Sequence, residues 1–332
     1  MKREVVKKLP KVELHCHLDG SIPIETLYKL AIKEGIEAKE MNKVFAPKKC
    51  TDLKSYLNCF DVVLEVLQTK ENLAEAAYSV VKEVYKENVK YIEIRFAPLL
   101  HTRKGLSIKE VVLAVSEGIK KAQLEVDVKV NILICALRHH KTEANNRLLE
   151  EVEKLNIIAG FDFAGDEKNY SNSVIKETAL KVKEKNLKLT LHSGECGCAQ
   201  SVVEAIHLGA TRIGHGVAIK DDTEIMKYIA NSDVLLEICP TSNVQTDAVK
   251  SIEEYPFRIL MENGVKCCVN TDNRTVSNTT LTDEYMLLNE YFGLTYEEME
   301  KLNINAIKFS FADEEIKENV LENIIEAYKN YL

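Results

Sequence analysis

No stretch of this chain reaches the roughly 18 uninterrupted apolar residues that a membrane-crossing helix needs. The opening Met1-Lys2-Arg3 runs into a charged segment without the short apolar core of a secretion signal. Among the nine cysteines there is no C-x-x-C pair. They stand singly or as Cys196-Gly-Cys198 and Cys267-Cys268, and their odd number argues against both a secreted disulfide framework and a cysteine-based zinc site. The 44 Lys+Arg and 52 Asp+Glu form no blocks of one sign, so the net charge of -8 leaves no footprint for nucleic acid or an anionic membrane. A cytoplasmic protein acting on a small molecule is expected; nothing in the sequence fixes its oligomeric state.

Two further absences bear on architecture. Neither G-x-G-x-x-G nor G-x-x-x-x-G-K-[ST] occurs, which removes the usual cradles for nucleotide phosphates and weakens the case for an open doubly wound sheet. With 13 glycines and six prolines, no Pro/Gly/Ser-rich linker, low-complexity tract or repeat divides the 332 residues.

What the sequence does contain is a series of short apolar runs between longer charged segments of helical periodicity, the pattern of parallel strands buried on both faces. Eight are counted: Val12–His15, Tyr91–Phe96, Lys129–Leu137, Ile157–Phe163, Lys188–His192, Thr211–Gly214, Val234–Ile238 and Val265–Asn270. Each precedes a plausible helix, such as Asp222–Ala230 after the sixth. The pattern predicts one α/β domain over residues 1–332, a (β/α)8 TIM barrel. The connection after the first helix, from Ile36 to Leu73, is long and carries Leu53, Tyr56, Leu57 and Phe60 at helical spacing. Such a stripe is commonly core; here it also predicts a helical lid inserted after strand 1.

Polar residues gather where barrel active sites are built, at the C-terminal ends of strands. Strand 1 ends in His15-Cys16-His17-Leu18-Asp19, strand 5 in His192-Ser193-Gly194-Glu195, strand 6 in Gly214-His215, and strand 8 in Asn270-Thr271-Asp272-Asn273. His15 and His17, two apart on an extended strand, can share one cation, while Cys16 between them faces packing. A lone H-x-H is weak, but a third histidine and an aspartate on other strands make a four-ligand set, His15, His17, His192 and Asp272, suited to one Zn²⁺. Glu195 then reads as a proton donor and His215 as the residue that orients an activated water. His101, His139, His140 and His207 have no partners at matching positions and read as surface or structural residues.

The stretches Leu14–Ser21, Leu67–Leu73, Arg95–Pro98, Asp162–Glu167, His192–Glu195, Arg212–Gly216, Cys239–Asn243 and Asn270–Asp272 run in the order found in adenosine deaminases, and the chain resembles that family over most of its length. The resemblance implies hydrolytic deamination of adenosine and 2′-deoxyadenosine to inosine and ammonia, by a zinc-activated hydroxide adding at purine C6. It implies catalytic roles for Glu195, His215 and Asp272, metal ligation by His15, His17, His192 and Asp272, and substrate binding by His17, Asp19, Gly165 and Asn273. Asp19 corresponds to the acid that contacts ribose hydroxyls, and Gly165 to the backbone N–H that meets ring N3.

One position departs from the common pattern: many members carry a second aspartate where this chain has Asn273. Purine N7 is an acceptor, so a carboxyl must be protonated to meet it, whereas an amide already carries donors. The alternative substrate is another 6-aminopurine, either adenine or a modified adenine nucleoside. A binuclear amidohydrolase would offer a bridging lysine after strand 4, where Phe161–Gly165 has none. A barrel that had lost catalysis would show a broken ligand or proton-donor set, and none is broken here. The cysteine-ligated deaminase motif P-C-x-x-C is also absent.

Overall fold

Along Tyr91–Phe96 every side chain is buried, although Glu93 and Arg95 alternate there with Ile92 and Ile94. Burial on both faces is what a parallel strand under a helical layer requires. The computed structural model describes residues 1–51 and 53–331. Among these, eight parallel strands pair in chain order: β1 (Lys11–His17), β2 (Val89–Phe96), β3 (Lys129–Leu137), β4 (Gly160–Ala164), β5 (Lys188–Ser193), β6 (Arg212–His215), β7 (Leu235–Ile238) and β8 (Cys267–Val269). Helices follow each strand, among them Ile108–Gln123, opened by a Ser107/Glu110 capping box, and Thr223–Ala230, capped by Asp222. The chain thus forms the expected (β/α)8 barrel.

The seam between β1 and β8 closes at the functional end. Cys16 bridges Asp272, with the His17 N–H donating to the Asp272 carbonyl at 2.8 Å and the Asp272 N–H to the His15 carbonyl at 3.0 Å. Below it, β8 stops at Val269, shorter than the sequence pattern indicates, because the side chain of Asn270 replaces the ladder: its Oδ1 accepts the N–H groups of Leu14 and His15. A register shift in β1 between Glu13 and Cys16, against Ile92 and Ile94 of β2, marks a β-bulge. Bulges next to active sites re-aim side chains. Here Cys16 is fully buried and donates to Ser21 Oγ, away from the histidines, as expected. β4 starts at Gly160 rather than at Ile157; Asn156 has a positive φ, and Ile157 and Ile158 are only partly buried as the chain approaches the ladder.

The segment between β1 and helix Lys70–Tyr85 carries short helices at Ile24–Lys33, Leu53–Leu57 and Asp61–Val66. Its apolar stripe divides: Tyr56 is 2% exposed, whereas Leu57 is 42% exposed at the cavity mouth.

TIM-barrel interiors are usually filled by Val, Ile and Leu. Here the axis is occupied by charge. Arg95 of β2 reaches Asp162 of β4 (3.0 Å) and Glu237 of β7 (2.8 Å); Arg212 of β6 pairs with Glu237 (2.8 Å) and with Glu93 of β2. All five side chains are fully buried. Only the barrel interior lets β2 touch β4, β6 and β7, so period-two alternation turns Glu93 and Arg95 inward and Ile92 and Ile94 toward the helices.

Candidate active site

The charged axis fixes the ligands above it. His15 Nδ1 lies 2.9 Å from Glu237 Oε2 and His192 Nδ1 lies 3.0 Å from Asp162 Oδ1. A carboxylate at Nδ1 holds the proton on that nitrogen and leaves Nε2 with a free lone pair. The other two members converge on the same point. His17 Nε2 is 3.2 Å from His192 Nε2, and Asp272 Oδ1 is 3.3 Å from His15 Nε2 and 3.4 Å from His17 Nε2. One ligand atom from each of the four residues lies within 4.8 Å of the others. Asp272 Oδ2 is taken by Ser242 Oγ at 2.6 Å, which leaves Oδ1 for the cluster.

The donor set fits a metal ion on this geometry. His15 Nε2 is buried without a hydrogen-bond partner, facing a carboxylate oxygen. Burial holds His17, His192 and His215 below the usual imidazole range, so they are neutral, the form that ligates. Burial would raise Asp272, but the adjoining His15 ring, 3.3 Å away, and the other imidazoles outweigh this and hold it well below the ordinary carboxyl range.

Glu195 stands in the turn after β5. Burial, then the charge of Asp272, pushes its carboxyl up to about 8, so it is protonated at neutral pH. Thr246 Oγ1 donates to its Oε1 at 3.1 Å, and its Oε2 is 3.8 Å from His215 Nε2. The turn itself hangs on Glu167. That carboxylate accepts the backbone N–H groups of Gly194 (2.9 Å), Glu195 (3.1 Å) and Cys196 (3.3 Å) and the hydroxyls of Ser193 and Ser201. His215 is set by an amide: Tyr255 donates to Asn243 Oδ1 (3.1 Å), which turns Asn243 Nδ2 toward His215 Nδ1 (3.0 Å) and leaves the ring proton on Nε2. His215 and Asp272 both have positive φ, 67° and 61°. A left-handed backbone at a side-chain-bearing residue persists only where the surroundings enforce it, and it collects at active sites.

These residues border a cavity of about 270 Å³. Its apolar wall includes Leu53, Tyr56, Leu57, Phe60 and Leu64, and its polar wall His17, Asp19, Gly165, Asp166, Glu195, Thr246 and Asn273. Burial raises Asp19 to about 6. Gly165 has a φ of 102°, closed to most side chains, and its bare Cα lets the backbone edge the cavity. Asn273 is buried and donates to the Tyr56 hydroxyl at 3.0 Å.

The residues read from the sequence as metal ligands, catalytic groups and substrate contacts therefore border one cavity or its ligand cluster. His139, read from the sequence as a surface or structural residue, is exposed and also lines the cavity, with Nδ1 3.8 Å from where a Cβ on Gly165 would sit. His101 is structural, buried with Nδ1 on the Leu67 carbonyl. Sequence reasoning missed the roles of Asp162, Glu237, Glu167, Ser242 and Asn243. For Asp162 and Glu237 the available signal was a charge inside an apolar run, as in Leu235-Leu236-Glu237-Ile238.

Fold and site together define a metal-dependent (β/α)8 enzyme whose buried carboxylic acid faces the ligand cluster across a substrate-sized cavity. The family model described as adenosine deaminase matches residues 10–327, and the chain belongs to that family. It is 44% identical over 335 residues to the adenosine deaminase of Enterococcus faecalis, covering 99% of each chain. Among solved structures it superposes on an adenine deaminase from Arthrobacter aurescens with a TM-score of 0.90 at 26% identity, covering 97% of this chain and 99% of that one. It also superposes on an N6-methyl-AMP deaminase from Arabidopsis thaliana with a TM-score of 0.87 at 25% identity, covering 99% of this chain and all of the other.

Proposed function

We propose that this chain is a zinc-dependent adenosine deaminase that converts adenosine and 2′-deoxyadenosine to inosine and ammonia, the 332 residues acting as one catalytic unit in the cytoplasm. The observation that carries the reading is that Glu195, its carboxyl raised to about 8, lines the same cavity as His17, His192 and Asp272, which with His15 form the ligand cluster. His15, His17, His192 and Asp272 would hold the ion, and a nitrogen-rich set of this kind suits zinc. When bound, the metal supplies activated water for addition to an electron-poor ring carbon.

The chain's own groups do the rest. Glu195 donates its proton to purine N1, which makes C6 electrophilic. A C6–O bond forms, the proton of the new C6 hydroxyl passes to N6, and the C6–N6 bond then breaks, with nitrogen leaving as ammonia and C6 left as the carbonyl of inosine. His215, whose Nε2–H is set by Asn243, orients the attacking water, and Asp272, its Oδ2 fixed by Ser242, completes the polar surface there. The Gly165 backbone N–H meets N3, Asn273 donates to N7, and His17 and Asp19 meet the ribose side. The apolar stripe at Leu53, Tyr56, Leu57 and Phe60 excludes water from the reacting ring.

A nucleoside is favoured over a nucleotide because acids line the cavity and, among the described residues, no Lys or Arg does. A 5′-phosphate would meet Asp19 and Asp166 without a counter-charge. The test is turnover of adenosine, 2′-deoxyadenosine, adenine and N6-methyl-AMP, followed by ammonia release, with elemental analysis of the purified protein. The expected result is one zinc per chain, with both nucleosides turned over at least tenfold faster than the other two, roughly the discrimination one desolvated polar contact gives. Faster turnover of adenine or N6-methyl-AMP would replace the substrate assignment.

A further inference from the structure

Among the side chains over the cavity, Tyr56 alone in the Leu53/Tyr56/Leu57/Phe60 stripe carries a polar atom, and that atom is buried. A phenylalanine would cover the cavity equally well, and a buried hydroxyl is costly unless it is hydrogen-bonded. The Tyr56 hydroxyl lies 2.7 Å from Ser277 Oγ and accepts from Asn273 Nδ2 at 3.0 Å. Both partners belong to the loop after β8, so the hydroxyl ties the short helix Leu53–Leu57 to the wall that bears Asn273. On its other side the Asn273 amide abuts Gly20, where a Cβ would overlap its Oδ1, and that oxygen has no hydrogen-bond partner. The amide is clamped between Gly20 and Tyr56.

An asparagine amide has two orientations related by a half-turn, and its neighbours choose between them. With Asn273 Nδ2 donating to it, the Tyr56 hydroxyl keeps its own proton free for Ser277 Oγ, an arrangement that places nitrogen rather than oxygen on the Tyr56 side and leaves a second amide N–H for a cavity ligand. We infer that Tyr56 is a positioning residue: its hydroxyl selects the donor orientation of Asn273 and so couples the short helix over the cavity to recognition of an acceptor on the purine's five-membered ring. This rests on the placement of purine N7 at Asn273 described above.

The test compares adenosine turnover with competitive inhibition by 7-deazaadenosine, which has no N7 acceptor, in the zinc-loaded enzyme. Tyr56→Phe keeps the ring and the metal content, lowers kcat/KM for adenosine about tenfold, and leaves the inhibition constant of 7-deazaadenosine within about twofold, the size of one lost hydrogen bond. In an Asn273→Ala background the same substitution has no further effect. Equal losses on both ligands, or a loss that survives in Asn273→Ala, overturn the role of Tyr56. A wild-type enzyme that binds the two ligands equally tightly overturns instead the N7 reading of Asn273, and the positioning role falls with it.

Discussion

The carboxylate of Glu167 accepts the backbone N–H of Glu195 at 3.1 Å, so one buried acid holds the main chain of another. The remaining bonds of Glu167 go to the same turn, from Ser193 to Cys196, and to Ser201. An amide cannot replace it, because its nitrogen would face N–H groups that need an acceptor. Glu167→Gln is expected to lower kcat by about 10- to 100-fold with unchanged zinc content, as misplacement of a proton donor by about an ångström does. Steady-state kinetics with elemental analysis checks this; loss of zinc in step with activity would assign Glu167 to folding instead.

Asp162 and Glu237 act through the imidazoles they hold. Asp162→Asn and Glu237→Gln are each expected to weaken metal affinity by about 10- to 100-fold, the usual effect of losing a carboxylate behind a histidine ligand. Each also leaves Arg95 short of a counter-charge, so thermal stability falls as well. Competition with a chromophoric chelator measures the affinity, and an unchanged constant counts against the role assigned to these carboxylates.

Protonated Glu195 gives the pH dependence its sign. Burial raises this carboxyl to about 8, so the form that can donate persists through neutrality and kcat/KM falls as pH rises through about 8. Glu195→Gln removes the donor, with an expected loss of roughly 10²- to 10⁴-fold and full metal content. The same shift works on stability in the metal-free protein. A carboxyl whose folded pKa is raised binds its proton more tightly in the native state, so stability declines as pH climbs from the ordinary value of 4.5 toward 8. Glu195→Gln flattens that decline in a series of melting curves; a parallel decline in the variant would place its origin elsewhere.

Gly20 makes room for Asn273, since a Cβ there would overlap the amide. Gly20→Ala is expected to raise KM for adenosine about tenfold while kcat changes less and zinc content stays constant, as loss of a binding contact distant from the reacting bond does. A kcat effect larger than the KM effect would show that the ligand loop had moved too.

Much of this was legible in the sequence because strand ends obey simple geometry. His15 and His17 fall on one side of β1, His192 is the penultimate residue of β5, and the eight apolar runs lie on the eight strands. Asp272 was legible as a ligand, although its place is a loop residue with positive φ beyond β8, not a strand end. The charged axis was harder to read. Glu93, Arg95, Asp162, Arg212 and Glu237 come from four strands that neighbour one another only in part, and their pairing depends on barrel closure that no local pattern encodes. Glu167 was hidden for a related reason: its partners are mostly backbone N–H groups of another turn, which carry no residue-type signal. His139 gave no signal of its own, because its place on the cavity depends on how the loops after β3 and β4 meet.

The occupants of the barrel axis also carry a charge stoichiometry. Three carboxylates, Glu93, Asp162 and Glu237, stand against two guanidinium groups, Arg95 and Arg212, and Asp272 adds one further anion at the top. The buried column therefore holds two more anions than cations, an excess that favours a cation at its upper end. The demand for a cation at the ligand cluster is thus written into the interior of the barrel, several residues below the side chains that would meet it.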